Sequence, residues 1–143
     1  MAKEVDINVS GLLDDLQKWG VDAGAAVRET VQDIMDDWKR ESVDLAPVDT
    51  TTLRRSIHYR TQKRGTTGVD VTGEIKASAI ETGASGGRFD YAYWIHEVKG
   101  DSFKGRTSGT IGRFLDVPAE ENEKKWLLKI EEDLKAKARA RGF

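Results

Sequence analysis

Two histidines, His58 and His96, are the first candidates for chemistry in a chain of 143 residues that contains no cysteine. The lack of cysteine excludes disulfides, thiolate metal sites and cysteine nucleophiles together, and leaves the redox compartment undetermined. His58 lies in a short β-favouring stretch, and His96 stands beside Glu97. A His–carboxylate pair can serve a general base or a metal, provided a nucleophile or a third ligand converges on it. Residues Tyr91–Val98 (YAYWIHEV) read as a strand, however, and neighbours on a strand point to opposite faces. His96 and Glu97 are therefore not expected to act on one substrate, and an interface or surface histidine is the better reading. The run GASGG at 83–87 fits neither a P-loop nor a dinucleotide fingerprint, so it reads as a hinge or flexible loop. No catalytic residue, metal ligand or cofactor is expected.

The charged residues narrow the partners. Lys and Arg total 23 against 25 Asp and Glu, a formal charge of −2. That balance argues against nucleic acid as the main partner. Basic clusters stand at Arg54–Arg55, at Lys63–Arg64, and at Lys135, Lys137, Arg139 and Arg141. The last set reads as a solvated helix end whose cations complement the helix dipole, with transient DNA contact as the alternative. The acidic set Asp33, Asp36, Asp37 and Glu41 faces either solvent or a basic neighbouring subunit. The apolar runs are too short to span a bilayer, and the amino-terminal MAKEVDINVSG lacks the apolar stretch of a signal peptide, so synthesis and assembly in a cytoplasm are expected.

The elements that would position these residues follow from periodicity. Hydrophobic residues make up 38% and charged residues 34%, which suits one domain over 1–143 with solvated helices. A helix is predicted over about 10–45, capped by Ser10, interrupted near Gly20 and Gly24, and ended by Pro47. Its stripe is Val27, Val31, Ile34, Met35, Trp38 and Leu45. A β region follows over about 53–98: a hairpin of Leu53–Gln62 with Val69–Ile75 about the turn Lys63–Gly68, a flexible connection Thr82–Arg88, and the Tyr91–Val98 strand. Trp94, among aromatic neighbours, belongs in a central strand or against a partner. A polar loop over 100–112 precedes a helix over about 118–138, with a stripe of Trp126, Leu127, Ile130 and Leu134 and a fraying end beyond it. Trp38 and Trp126 are expected in the core. The fold class is α+β: a long N-terminal helix, a small antiparallel sheet with long loops, and a C-terminal helix.

Three segments in this order carry a resemblance. APVDTTTLRRSI (Ala46–Ile57) is similar to a pattern A-P-x-D-T-G-x-L-R-x-S-I, with Thr51 where that pattern has glycine. YAYWIHE (Tyr91–Glu97) is similar to Y-A-x-x-[VI]-x-E, followed here by Val98, Lys99 and Gly100 in place of F-G-T. GRFLDVPAEEN (Gly112–Asn122) resembles a [PR]-F-[LM]-x-x-A entry to a terminal helix, with Phe114 and Leu115 in place and Ala119 one residue later than in that pattern. Together they resemble the minor capsid or tail-completion family of long-tailed phages. The resemblance implies a structural virion protein of the head–tail junction, assembled in the host cytoplasm, which joins tail to capsid connector around the DNA channel. A minor capsid or stopper role, and a small nucleic-acid-binding module, are the alternatives. The implied partners are further copies in a six- or twelve-fold ring, an adaptor or stopper, and a tail terminator or tail tube. Transient contact with channel DNA is a further implication, and no membrane is involved. Loops Thr82–Arg88 and Gly100–Gly112 and the carboxyl tail are expected to reach neighbouring subunits. The residues expected at interfaces are Arg54, Arg55, Tyr91, Tyr93, Trp94, His96, Phe103, Arg106, Phe114 and Leu115.

Overall fold

A computed structural model of the chain describes residues 2–7, 21–47, 51–64, 70–82, 88–105 and 109–140. Strand β1 (Ala2–Ile7) opens the chain, and helix α1 spans Val21–Leu45. The expected cap Ser10 and the break at Gly20 lie outside the described residues, whereas Gly24 sits within an uninterrupted helix. Val27, Val31, Ile34, Met35 and Trp38 are all buried, as their helical spacing requires. The helix ends where Pro47 lacks the N–H needed to continue it. Its last carbonyls are met from outside: Arg54 donates Nε–H to Ala46 O at 2.9 Å and Nη2–H to Asp44 O at 3.2 Å.

The segment expected to begin the first strand is a short helix instead, α2 (Thr51–Ser56), and strand β2 starts only at His58 and runs to Arg64. Leu53 and Ile57, four residues apart, are both buried. That spacing satisfies a helical turn as well as a strand entry, and the Ser56 hydroxyl donates to Leu53 O at 2.7 Å. Strand β3 (Asp70–Lys76) is the middle strand of a three-stranded sheet in the order β1-β3-β2. A second, two-stranded antiparallel sheet pairs β4 (Ile80–Thr82) with β5 (Arg88–Asp90), with Glu81 opposite Phe89. Most of the expected Thr82–Arg88 connection, residues 83–87, is outside the described residues.

Tyr91–Val98 is not a strand. It opens with one turn of α-helix, α3 (Tyr91–Tyr93), and continues as a π-helix over Trp94–Lys99. Asp90 decides this, because its Oδ1 accepts from Ala92 N at 3.0 Å and from Tyr93 N at 3.3 Å, an N-cap that a strand cannot use. The loop expected over 100–112 holds a 3-10 turn at Gly100–Ser102 and returns to the core at Ile111, whose N–H donates to Leu45 O at 2.9 Å. Helix α4 spans Asp116–Ala140, with Pro118 in its first turn. Trp126, Ile130 and Leu134 are buried, but Leu127, expected on the same stripe, is 53% exposed beside an exposed Leu128.

The chain divides into two compact units. One comprises 1–3, 37–59 and 75–121; the other comprises 4–36, 60–74 and 122–143. The first has a core that includes Trp38, Leu53, Ile57, Ile75, Ile95, Phe114 and Leu115, and Trp38 donates Nε1–H to Leu115 O at 2.7 Å. The second buries Val27, Val31, Ile34, Met35, Val71, Trp126, Ile130 and Leu134. Met35 lies so close to Gly73 that a Cβ there would stand 2.6 Å from its sulfur. The architecture is α+β with a long first helix, small sheets and a C-terminal helix.

Candidate assembly surface

Within the first unit, the Asp90 cap and the β4–β5 ribbon bring an aromatic group together. Trp94 lies 6.2 Å from Phe89, tilted at 59°, and 6.2 Å from Tyr91, stacked at 20°. Lys99 Nζ stands 5.2 Å from the centre of the Trp94 ring, within cation–π range. Phe89, Tyr93, Ile80 and Val98 are exposed, Tyr93 by 52% and Val98 by 61%. Tryptophan and tyrosine set among exposed apolar residues are the types that dominate binding energy at protein interfaces. Tyr91, Tyr93 and Trp94 were legible as candidates in the sequence. Phe89, Ile80, Val98 and Lys99 are not among the expected residues, and the sequence pattern assigns Ile80 and Phe89 to no element.

The other expected interface residues have different fates. His96 is buried rather than at a surface, and the geometry denied to a strand is present: its Nδ1 is 3.0 Å from Glu97 Oε1. A carboxylate only accepts, so an ionised Glu97 fixes the proton on Nδ1. Nε2 lies 3.8 Å from Asp116 Oδ1, and Phe114 meets the ring edge-on at 5.3 Å. With its side chain 0% exposed, His96 joins the π-helix to the start of α4 and presents no face to a substrate. Phe114 and Leu115 are also fully buried, so they anchor the core and expose nothing for a neighbour to touch. Arg54 is engaged as the cap of α1, Arg55 is exposed, Phe103 is half-buried, and Arg106 lies outside the described residues.

Arg113 organises the entry to α4. It pairs with Glu120, with Asp116 at 3.5 Å and with Asp101 at 3.7 Å. The hydrogen bond that Arg113 donates to Glu120 raises its pKa above the ordinary value, burial opposes the shift, and the three carboxylates add to it. A groove of about 200 Å³ is lined by Glu41, Asp44, Leu45, Pro118 and Glu121. It is smaller than the ~300–1,000 Å³ of small-molecule sites. Among the described residues no group of three His, Asp or Glu side chains could hold a metal ion, and no helix is long and apolar enough to cross a membrane.

The exposed aromatic group around Trp94 is the feature of this unit that a protein partner would cover. The family model described as "Bacteriophage HK97-gp10, putative tail-component" matches residues 10–95, and the chain belongs to this HK97 gp10-like family. The matched span contains all of Ala46–Ile57 and most of Tyr91–Glu97, while Gly112–Asn122 lies beyond it. Neither a curated protein nor a solved structure matches the chain.

Proposed function

We propose that this chain is a structural, non-enzymatic virion protein of the phage head–tail junction. In this reading it is a tail-completion or neck subunit that forms a ring around the DNA channel and joins the tail to the capsid connector. Membership of the tail-component family over residues 10–95 carries the reading. The exposed aromatic group around Trp94 supports it, since an apolar surface of this kind is costly in water and rewarded when a partner covers it. Its neighbours in the particle would be an adaptor or stopper on the head side and a tail terminator or tail tube on the other. Buried His96, held by the exposed Glu97, fits the same reading, as a group that fixes the π-helix beneath that surface.

Light scattering on the purified protein, alone and mixed with phage heads or with tails, tests the proposal. A mass of six or twelve copies, or stable attachment to one particle, is the expected result, and the particle chosen identifies the side completed. A monomer that ignores both particles would refute it.

A further inference from the structure

We propose that copies of this chain join edge to edge, β1 of one copy adding to β2 of the next, so that one sheet continues from subunit to subunit around the ring. The inference rests on the ring reading above and specifies the surfaces that close it. In the order β1-β3-β2, the middle strand engages one side of each outer strand. Among the described residues no further strand lies beyond either edge. An open edge offers a row of backbone donors and acceptors, the template to which another chain's strand adds. The two edges are six and seven residues long, enough for a full ladder, against three in each strand of the β4–β5 ribbon.

Charge selects which edges meet. The β2 sequence HYRTQKR carries Arg60, Lys63 and Arg64 and no acid, and with Arg60 paired to Glu74 of β3 a net of +2 is left for a neighbour. The β1 sequence AKEVDI carries Lys3 against Glu4 and Asp6, a net of −1. Two β2 edges repel and two β1 edges repel, whereas β1 against β2 attracts. One strand inward the same rule is visible, where Arg60 on β2 pairs with Glu74 on β3 at 3.1 Å. Charges on an edge ordinarily keep it from pairing indiscriminately. Opposite signs on the two edges of one sheet instead reject the symmetric dimer and favour the head-to-tail contact, which closes into a ring when the rotation between copies permits.

A charge swap tests this pairing where the wild-type protein assembles, alone or on particles. Glu4→Lys with Asp6→Lys makes both edges of one variant basic, and Lys63→Glu with Arg64→Glu makes both edges of the other acidic. Each is expected to stay monomeric, with circular dichroism like the wild type, and an equimolar mixture is expected to recover the ring mass with alternating copies. Either variant forming rings alone, or two folded variants failing to assemble together, would overturn edge pairing while leaving the ring itself standing. A wild-type protein that never forms a ring would remove both. Should the swapped variants misfold, cysteines provide the second measurement, because the chain has none of its own. A cysteine at Asp6 is combined in turn with one at Thr61, Gln62 or Lys63. Within one copy these strands are two apart, about 9.5 Å, too far for a disulfide. A ladder of covalent oligomers in one of the three pairs supports the pairing, and its absence in all three overturns it.

Discussion

At the scale of single residues, the side chains with chemical potential are spent on structure. Trp38 is the clearest case: almost fully buried, it supplies the hydrogen bond that Leu115 O receives at 2.7 Å. Trp38→Phe keeps most of the apolar volume and leaves that carbonyl without this donor, a loss of about 1–3 kcal/mol. Urea unfolding is expected to show a lower midpoint with an unchanged slope. Arg54 stood out in the sequence as half of a basic pair, which suggested phosphate or interface contact. It caps α1 through two carbonyls with two nitrogens of one planar group. A lysine has one ammonium and cannot reproduce that fork. Arg54→Lys is therefore expected to destabilise the fold by about 1 kcal/mol despite the retained charge, whereas Arg55→Lys, at an exposed position, is expected to change the thermal midpoint little. Equal effects at the two positions would contradict the capping role.

At the scale of elements, what the sequence revealed depended on how local the deciding interaction was. The stripes of α1 and α4 were legible because helical spacing is set by the helix itself, and Trp38 and Trp126 were correctly placed in the core. Tyr91–Val98 was misread because its residues satisfy two periods at once. Tyr91, Tyr93 and Ile95 alternate as in a strand, while Ala92, Ile95 and His96, the buried set, follow helical spacing. Asp90 in front of the segment is the available signal, a residue type suited to cap a helix. β1 is not legible because its partner β3 lies far along the chain, and the β4–β5 ribbon because strands of three residues are too short to show a period, so Phe89, one wall of the aromatic surface, is not legible either. The polar loop over 100–112 is expected to reach neighbouring subunits, yet its end is a packing device. A Cβ on Gly112 would stand 2.2 Å from Gly100 O and 2.9 Å from Ile95 O, both backbone atoms. Gly112→Ala must therefore push the loop off the π-helix, at about 3 kcal/mol. Gly73→Ala meets the flexible end of Met35 and is expected to cost less, about 1 kcal/mol. Parallel thermal melts check this ordering, and near-ultraviolet circular dichroism from Trp94 is expected to change for Gly112→Ala alone.

At the scale of the whole molecule, charge separates a ring that encloses DNA from a protein that binds it. The chain carries a formal −2, so copies gathered around a channel add negative charge unless the basic residues are concentrated toward the axis. The carboxyl-terminal cations were the natural candidates for that concentration. Two of them are engaged elsewhere: Lys135 pairs with Glu131 at 2.7 Å, and Lys137 with Glu29 at 3.2 Å. Exposed pairs of this kind contribute little to stability, roughly 0–1 kcal/mol, but each places a carboxylate beside the ammonium that a phosphate would have to displace. Counterion release, the main source of affinity for DNA, scales with the number of phosphates neutralised, and these two pairs reduce what the carboxyl-terminal cations can contribute. The purified protein is therefore expected not to retard duplex DNA at about 150 mM salt, where the Debye length is near 8 Å. Replacing Lys135, Lys137 and Arg139 together by alanine is expected to leave both that result and particle attachment unchanged. Retardation that weakens steeply with salt and disappears in the triple variant would instead assign the carboxyl end to the DNA, and the proposed ring would then bind DNA as well as enclose it.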